Sequence, residues 1–114
     1  MNRVILIGNL AADPELKRTQ SDIPVCMFRI GVQRRFANQQ GVREADFFSC
    51  VAWRKTGEVI AQFFRKGMKI ALEGTLQNRS YDAQDGTKKY ITEVIVDEFD
   101  FVTPQNREAG NAAQ

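Results

Sequence analysis

Two pairs of long, extended-type runs leave this chain few folds to choose from. Residues 25–36 (VCMFRIGVQRRF) and 44–54 (EADFFSCVAWR) are rich in β-branched and aromatic side chains, and the polar, glycine-containing segment 37–42 separates them. Residues 68–81 and 88–102 repeat the arrangement around Asp85-Gly86, a dipeptide suited to a tight turn. Two long antiparallel hairpins are predicted. With the first turn centred near Asn38, Cys26 faces Cys50 and Phe28 faces Phe48 on one side, while Arg29 faces Phe47 on the other. The even-numbered side is expected to be the core, and in the second hairpin Met68, Ile70 and Leu72 point inward.

The remaining segments complete the pattern. Residues 3–9 (RVILIGN) carry apolar side chains at both parities, which predicts a strand buried on both faces, one in the core and the other against a second subunit. Residues 11–23, with Asp13-Pro14 and a polar run, read as a loop. Residues 56–66 switch to helical spacing: Val59, Ile60, Phe63 and Phe64 form an apolar stripe, Thr56 is the N-cap, Glu58 lies in the first turn and Arg65-Lys66 precede Gly67. Strand, hairpin, helix, hairpin is the order of an all-β, five-stranded Greek-key barrel with its one helix between strands three and four, the OB-fold. The domain is expected over 1–103. Residues 104–114 (PQNREAGNAAQ) lack any large apolar side chain and read as a disordered tail.

Composition narrows the chemistry. The 114 residues make one domain's worth of chain, and there is no histidine, so Ser-His-Asp and Cys-His nucleophilic arrangements cannot be built from it. Cys26 and Cys50 have no CxxC spacing, so structural zinc is not expected, and no cofactor is predicted. Glu93, Asp97, Glu98 and Asp100 read as a solvated strand face rather than a divalent-metal site. No apolar run reaches bilayer-spanning length and no signal-peptide pattern opens the sequence, which predicts a cytoplasmic protein without membrane association.

The net charge is only +2, yet residues 1–55 carry nine basic and five acidic side chains against seven and nine in 56–114. Within 28–55, Phe28, Phe36, Phe47, Phe48 and Trp53 alternate with Arg29, Arg34, Arg35, Arg43, Arg54 and Lys55. Unpaired nucleic-acid bases offer π-faces to aromatic rings, and their phosphates offer charge to cations; a duplex hides those faces. Phe47, Ser49, Val51, Trp53 and Lys55 share one parity, and Arg79 and Tyr81 lie opposite Ile70 and Leu72, so these are the outward candidates. Phe28, Phe48, Phe63 and Phe64 are expected in the core. Arg3, Arg34, Arg35, Lys66, Lys88 and Lys89 form the wider set of candidate cations, and with so small a net charge stacking has to carry much of any affinity.

VILIGNLAADPEL, DFFSCVAWRKTGEVIAQFFRKG and LEGTLQNRSYDAQDGTKKYITEVIVD together resemble the bacterial single-stranded DNA-binding proteins over residues 1 to about 103. The resemblance implies an OB-fold domain assembled as a homotetramer, a dimer of dimers, that wraps single-stranded DNA and protects it in replication, recombination and repair. It implies stacking by Phe36, Phe47, Trp53 and Tyr81, with Arg3, Lys55, Lys66 and Arg79 at the matching basic positions; Arg35 joins them from the basic cluster. The family often carries tryptophan where this chain has Phe36, Phe47 and Tyr81. Its tail normally ends in an acidic tip that recruits replication and repair proteins, whereas this sequence stops at Asn111-Ala112-Ala113-Gln114. An accessory OB protein that binds protein partners, and an RNA-binding OB-fold, are the rival readings.

Overall fold

Alternation along the two hairpins is what closes the molecule. In a computed structural model, which describes residues 1–102, the elements run β1 (Val4–Leu10), β2 (Glu15–Arg18), β3 (Pro24–Gln33), β4 (Ala45–Trp53), α1 (Arg54–Phe63), β5 (Lys69–Asp82) and β6 (Lys88–Phe101). The sheet order is β1-β5-β6-β4-β3-β2, and β1 also pairs with β3 through Asn9↔Gly31 and Leu10↔Ile30, which curls the sheet into the OB barrel. All pairings are antiparallel except β4 with β6. The expected tail, 104–114, lies outside the described residues.

The core is assembled from the expected even-numbered positions: Cys26, Phe28 and Ile30 of β3, Cys50 and Ala52 of β4, Ile70 and Leu72 of β5, Val94 and Val96 of β6, closed by Leu10, Ile60 and Phe64. Phe64 is fully buried and stacks parallel on Phe101, ring centroids 4.6 Å apart, with Phe99 edge-on at 5.7 Å. Gly57 lets α1 lie directly on the barrel, because a β-carbon there would strike the Ala52 carbonyl and approach Cys26.

Five expectations need correction. The segment read as a loop, 11–23, contains β2, which pairs with β3 from Glu15↔Met27 to Arg18↔Pro24. All four of its side chains are exposed, so no apolar alternation announces it; backbone pairing with β3 holds it, and Arg18 reaches Glu58 of α1 at 3.5 Å. The β3–β4 register is two residues off: Cys26 faces Ala52, Phe28 faces Cys50 and Arg29 faces Ser49. The 34–44 loop is centred one residue later than expected, with the Asn38 side-chain oxygen accepting the Gln40 and Val42 N–H groups at 2.9 Å. A two-residue slip preserves parity, so Cys26, Phe28 and Cys50 stay in the core and Phe47 and Trp53 stay outside.

The helix starts two residues early and ends at Phe63, with Trp53 rather than Thr56 at the N-cap and no side-chain cap. Arg54, at φ +59°, makes the strand-to-helix turn by itself. Phe63 sits on the outer flank, half-exposed, with its ring edge-on to Phe101 at 6.3 Å, because the buried line runs through Gly57, Ile60 and Phe64. Met68 is also exposed, since β5 begins only at Lys69, and its sulfur accepts the Arg65 N–H. On β1, Val4 and Leu6 pack on the core while Ile5 and Ile7 are exposed on the opposite face.

Both thiols are free and buried. Burial pushes Cys26 up to about 11, and burial plus the nearby negative charge of Glu93 pushes Cys50 up to about 12. Unfolded thiols ionise near 8.5, so on raising the pH the unfolded chain loses these protons first. Stability from this source is intact below that value and is lost as pH rises toward the folded values, by about 1.4 kcal/mol per pH unit per thiol. Chemical denaturation at pH 8 and pH 10.5 is expected to show this alkaline loss, and a Cys26→Ala, Cys50→Ala double variant is expected to flatten it; an equal slope in the variant would contradict the assignment.

Candidate nucleic-acid interface

Register places the outward positions of three strands on one continuous face. On β4 these are Phe47, Ser49 and Trp53, whereas Val51, expected outward with them, is buried at 5% exposure among the neighbouring strands; Ser49 and Val51 sit beside Glu93 and Ile95 of β6, and β6 in turn sets Ile91 beside Arg79 and Lys89 beside Tyr81 of β5. Met27 and Arg29 of β3 extend the face on the other side, opposite Val51 and Ser49. The two long hairpins have thus brought Phe47, Trp53, Arg79 and Tyr81, far apart in sequence, onto one surface.

The four candidate rings are all accessible. Phe36 is 78% exposed on the 34–44 loop, Phe47 is 54% exposed, Trp53 42% and Tyr81, near the tip of the β5–β6 hairpin, 48%. Phe47 leans over Gly31, its cross-strand partner: a β-carbon on Gly31 would come within 2.9 Å of the ring. Three of the rings carry a guanidinium within cation–π range, Arg29 over Phe47 at 5.2 Å, Arg35 over Phe36 at 5.9 Å and Arg79 over Tyr81 at 6.0 Å.

The candidate cations divide into two groups. Lys55, in the first turn of α1, follows Trp53 by two residues and is exposed, as are Arg35 and Lys66. Lys66 is not on these strands but in the α1–β5 connection, where its backbone N–H donates to Asp13 at 2.8 Å. Arg3, ahead of β1, is paired with Glu73 and also stands apart from the face. Arg79 is on the face but its Nε and Nη2 donate to the two carboxylate oxygens of Glu93 at 2.9 and 3.2 Å. That hydrogen bond, and then the carboxylate charge, raise the Arg79 pKa.

Glu93 corrects the sequence reading. It is 5% exposed, not part of a solvated face. The signal was present in the alternation Ile91, Glu93, Ile95, which puts the carboxylate on the same side as two apolar residues. Among the described residues, no group of three His, Cys, Asp or Glu side chains is placed to hold a metal ion, and no helix is long and apolar enough to cross a membrane.

An exposed, aromatic-rich and cation-studded face on an OB barrel accords with the comparisons to known proteins. The chain is 48% identical over 106 residues to a single-stranded DNA-binding protein of Bacillus cereus, covering 93% of this chain and 62% of that protein. It is 42% identical over 112 residues to single-stranded DNA-binding protein 2 of Listeria monocytogenes, covering 98% and 70%, and 48% identical over 99 residues to a single-stranded DNA-binding protein of Lactiplantibacillus plantarum, covering 87% and 50%. The chain therefore spans less than two thirds of the length of several of these relatives. Residues 1–102 match the profile of the single-strand binding protein family, and with the barrel and its face in hand the chain belongs to that family.

Proposed function

We propose that this chain binds single-stranded DNA without sequence preference, coating and protecting exposed strands during replication, recombination and repair, and that it performs no catalytic step. The observation that carries this reading is the set of four exposed rings, Phe36, Phe47, Trp53 and Tyr81, interleaved with cations on a rigid barrel. Each ring offers a base a stacking surface that does not depend on base identity, while Lys55 and Arg35 supply charge to the backbone. Family membership and the relatives' names support it.

The chain acts as a homotetramer in this reading, in the cytoplasm. Support comes from β1, where Ile5 and Ile7 present an apolar stripe on the face turned away from the core.

Trp53, the single tryptophan, is the reporter for the test. Titration with a long deoxythymidine oligomer is expected to quench its fluorescence strongly, while a duplex of equal length leaves it unchanged. Quenching by neither would put protein partners ahead of DNA as the ligand, and stronger quenching by a ribose oligomer would favour RNA.

A further inference from the structure

Arg79 looks like the cation of the binding face, being central, basic and beside an aromatic ring. Its charge, however, is already matched. Both carboxylate oxygens of Glu93 accept from it, and Glu93 is buried, so turning Arg79 toward a phosphate would strand a carboxylate in a site with almost no access to water. The pair as a unit has no net charge, so it displaces no counterion condensed on the strand and adds nothing to the salt dependence of binding.

Across the same face lies an open groove bordered by Asp13, Glu15, Arg29, Ser49, Arg79 and Glu93. With Arg79 and Glu93 cancelling, two carboxylates and one guanidinium remain. Asp13 accepts the Lys66 N–H at 2.8 Å and Glu15 lies 3.7 Å from Lys17. Arg29 has no salt-bridge partner among the described residues. It projects outward from β3, diagonal to Phe47, with its guanidinium 5.2 Å from the ring centroid. It is therefore the one uncommitted positive charge bordering the groove, and it stands directly beside the Phe47 ring.

We propose that Arg29 is the phosphate-binding cation of the central face, acting beside the Phe47 ring, and that Glu93 keeps Arg79 out of that role. This rests on the strand-binding reading above and adds a residue to it. A planar guanidinium suits both tasks, lying flat over the ring and offering two N–H groups to phosphate oxygens. Removing it leaves Asp13 and Glu15 with no free cation in the groove to offset their repulsion of the strand.

The test is the salt dependence of binding to a deoxythymidine oligomer, measured for wild type, Arg29→Ala, Arg29→Lys and the charge-neutral pair Arg79→Gln with Glu93→Gln, each checked for folding by thermal melting. Each phosphate neutralised on a single strand contributes about 0.7 to the slope of log affinity against log salt. Arg29→Ala is expected to lower the slope by about that amount and the affinity by roughly 5- to 10-fold at low salt. Arg29→Lys keeps the slope, and the double replacement leaves it at the wild-type value. An unchanged slope in Arg29→Ala, or an equal loss in the double variant, overturns the assignment while leaving strand binding intact. A wild-type protein that binds no oligomer at any salt overturns the strand-binding reading and this one with it.

Discussion

Replacing Phe64 by alanine is expected to remove about 3–5 kcal/mol of unfolding free energy, the usual cost of emptying a fully buried aromatic site. Domains of this kind are stable by roughly 5–15 kcal/mol, so one substitution takes a large share of the total. The reason lies in where the ring sits. It follows the last helical residue, its backbone N–H donates to the Ile60 carbonyl, and its ring is parallel to Phe101 and edge-on to Phe99. Phe64→Ala thus opens a cavity and also unties the helix end from β6. Urea denaturation would read the loss as a lower midpoint at similar slope. Phe63→Ala, one position earlier but on the outer flank, serves as the comparison and should cost much less; equal losses would mean that the two rings have been placed on the wrong sides.

The largest functional effect is expected from Phe47→Ala combined with Trp53→Ala. A base stacked on an aromatic side chain contributes about 1–3 kcal/mol, so the pair together accounts for roughly 2–6 kcal/mol, or between about 30-fold and about 20,000-fold in affinity. The two losses should add, because six strand residues separate the rings by about 20 Å and they serve different nucleotides. Both side chains are substantially exposed, so the variant should melt close to wild type. Filter or anisotropy binding to a deoxythymidine oligomer gives the answer. A folded double variant with wild-type affinity would move the binding surface elsewhere on the barrel.

Parity was the feature most readily read from residues alone. It placed Phe28, Ile70 and Leu72 inside and Phe47, Trp53 and Tyr81 outside, and it survived a register error because a slip of two positions returns every side chain to the same face. The register itself depended on loop geometry: Asn38 closes its turn through its own side chain, and no strand residue carries that information. β2 was hidden for a different reason. Its four exposed side chains bear no apolar pattern, and it is defined by its backbone pairing with β3. Phe63 was misplaced because the buried line of the helix runs through Gly57, Ile60 and Phe64, which leaves Phe63 on the flank about 100° away, and a glycine on the buried line gives no apolar signal. The rings of the candidate site were visible as residue types, whereas the neutralisation of Arg79 was not, since it requires two strands to set Glu93 within reach and bury it.

The direct passage from Trp53 into α1 also sets where the chain can tolerate a change in length. An extra residue in the 34–44 loop or the turn at Asp85-Gly86 changes only the size of an exposed bend. At the Trp53–Arg54 junction there is no slack. One inserted residue would rotate the helix by about 100° relative to the strand feeding it. Gly57 would leave the Ala52 carbonyl against which it fits, and Ile60 would turn out of the core. Deletion there would pull Trp53 off its face by the same geometry. The barrel can therefore vary in the length of its hairpin arms, while the spacing between its tryptophan and its helix must be inherited intact.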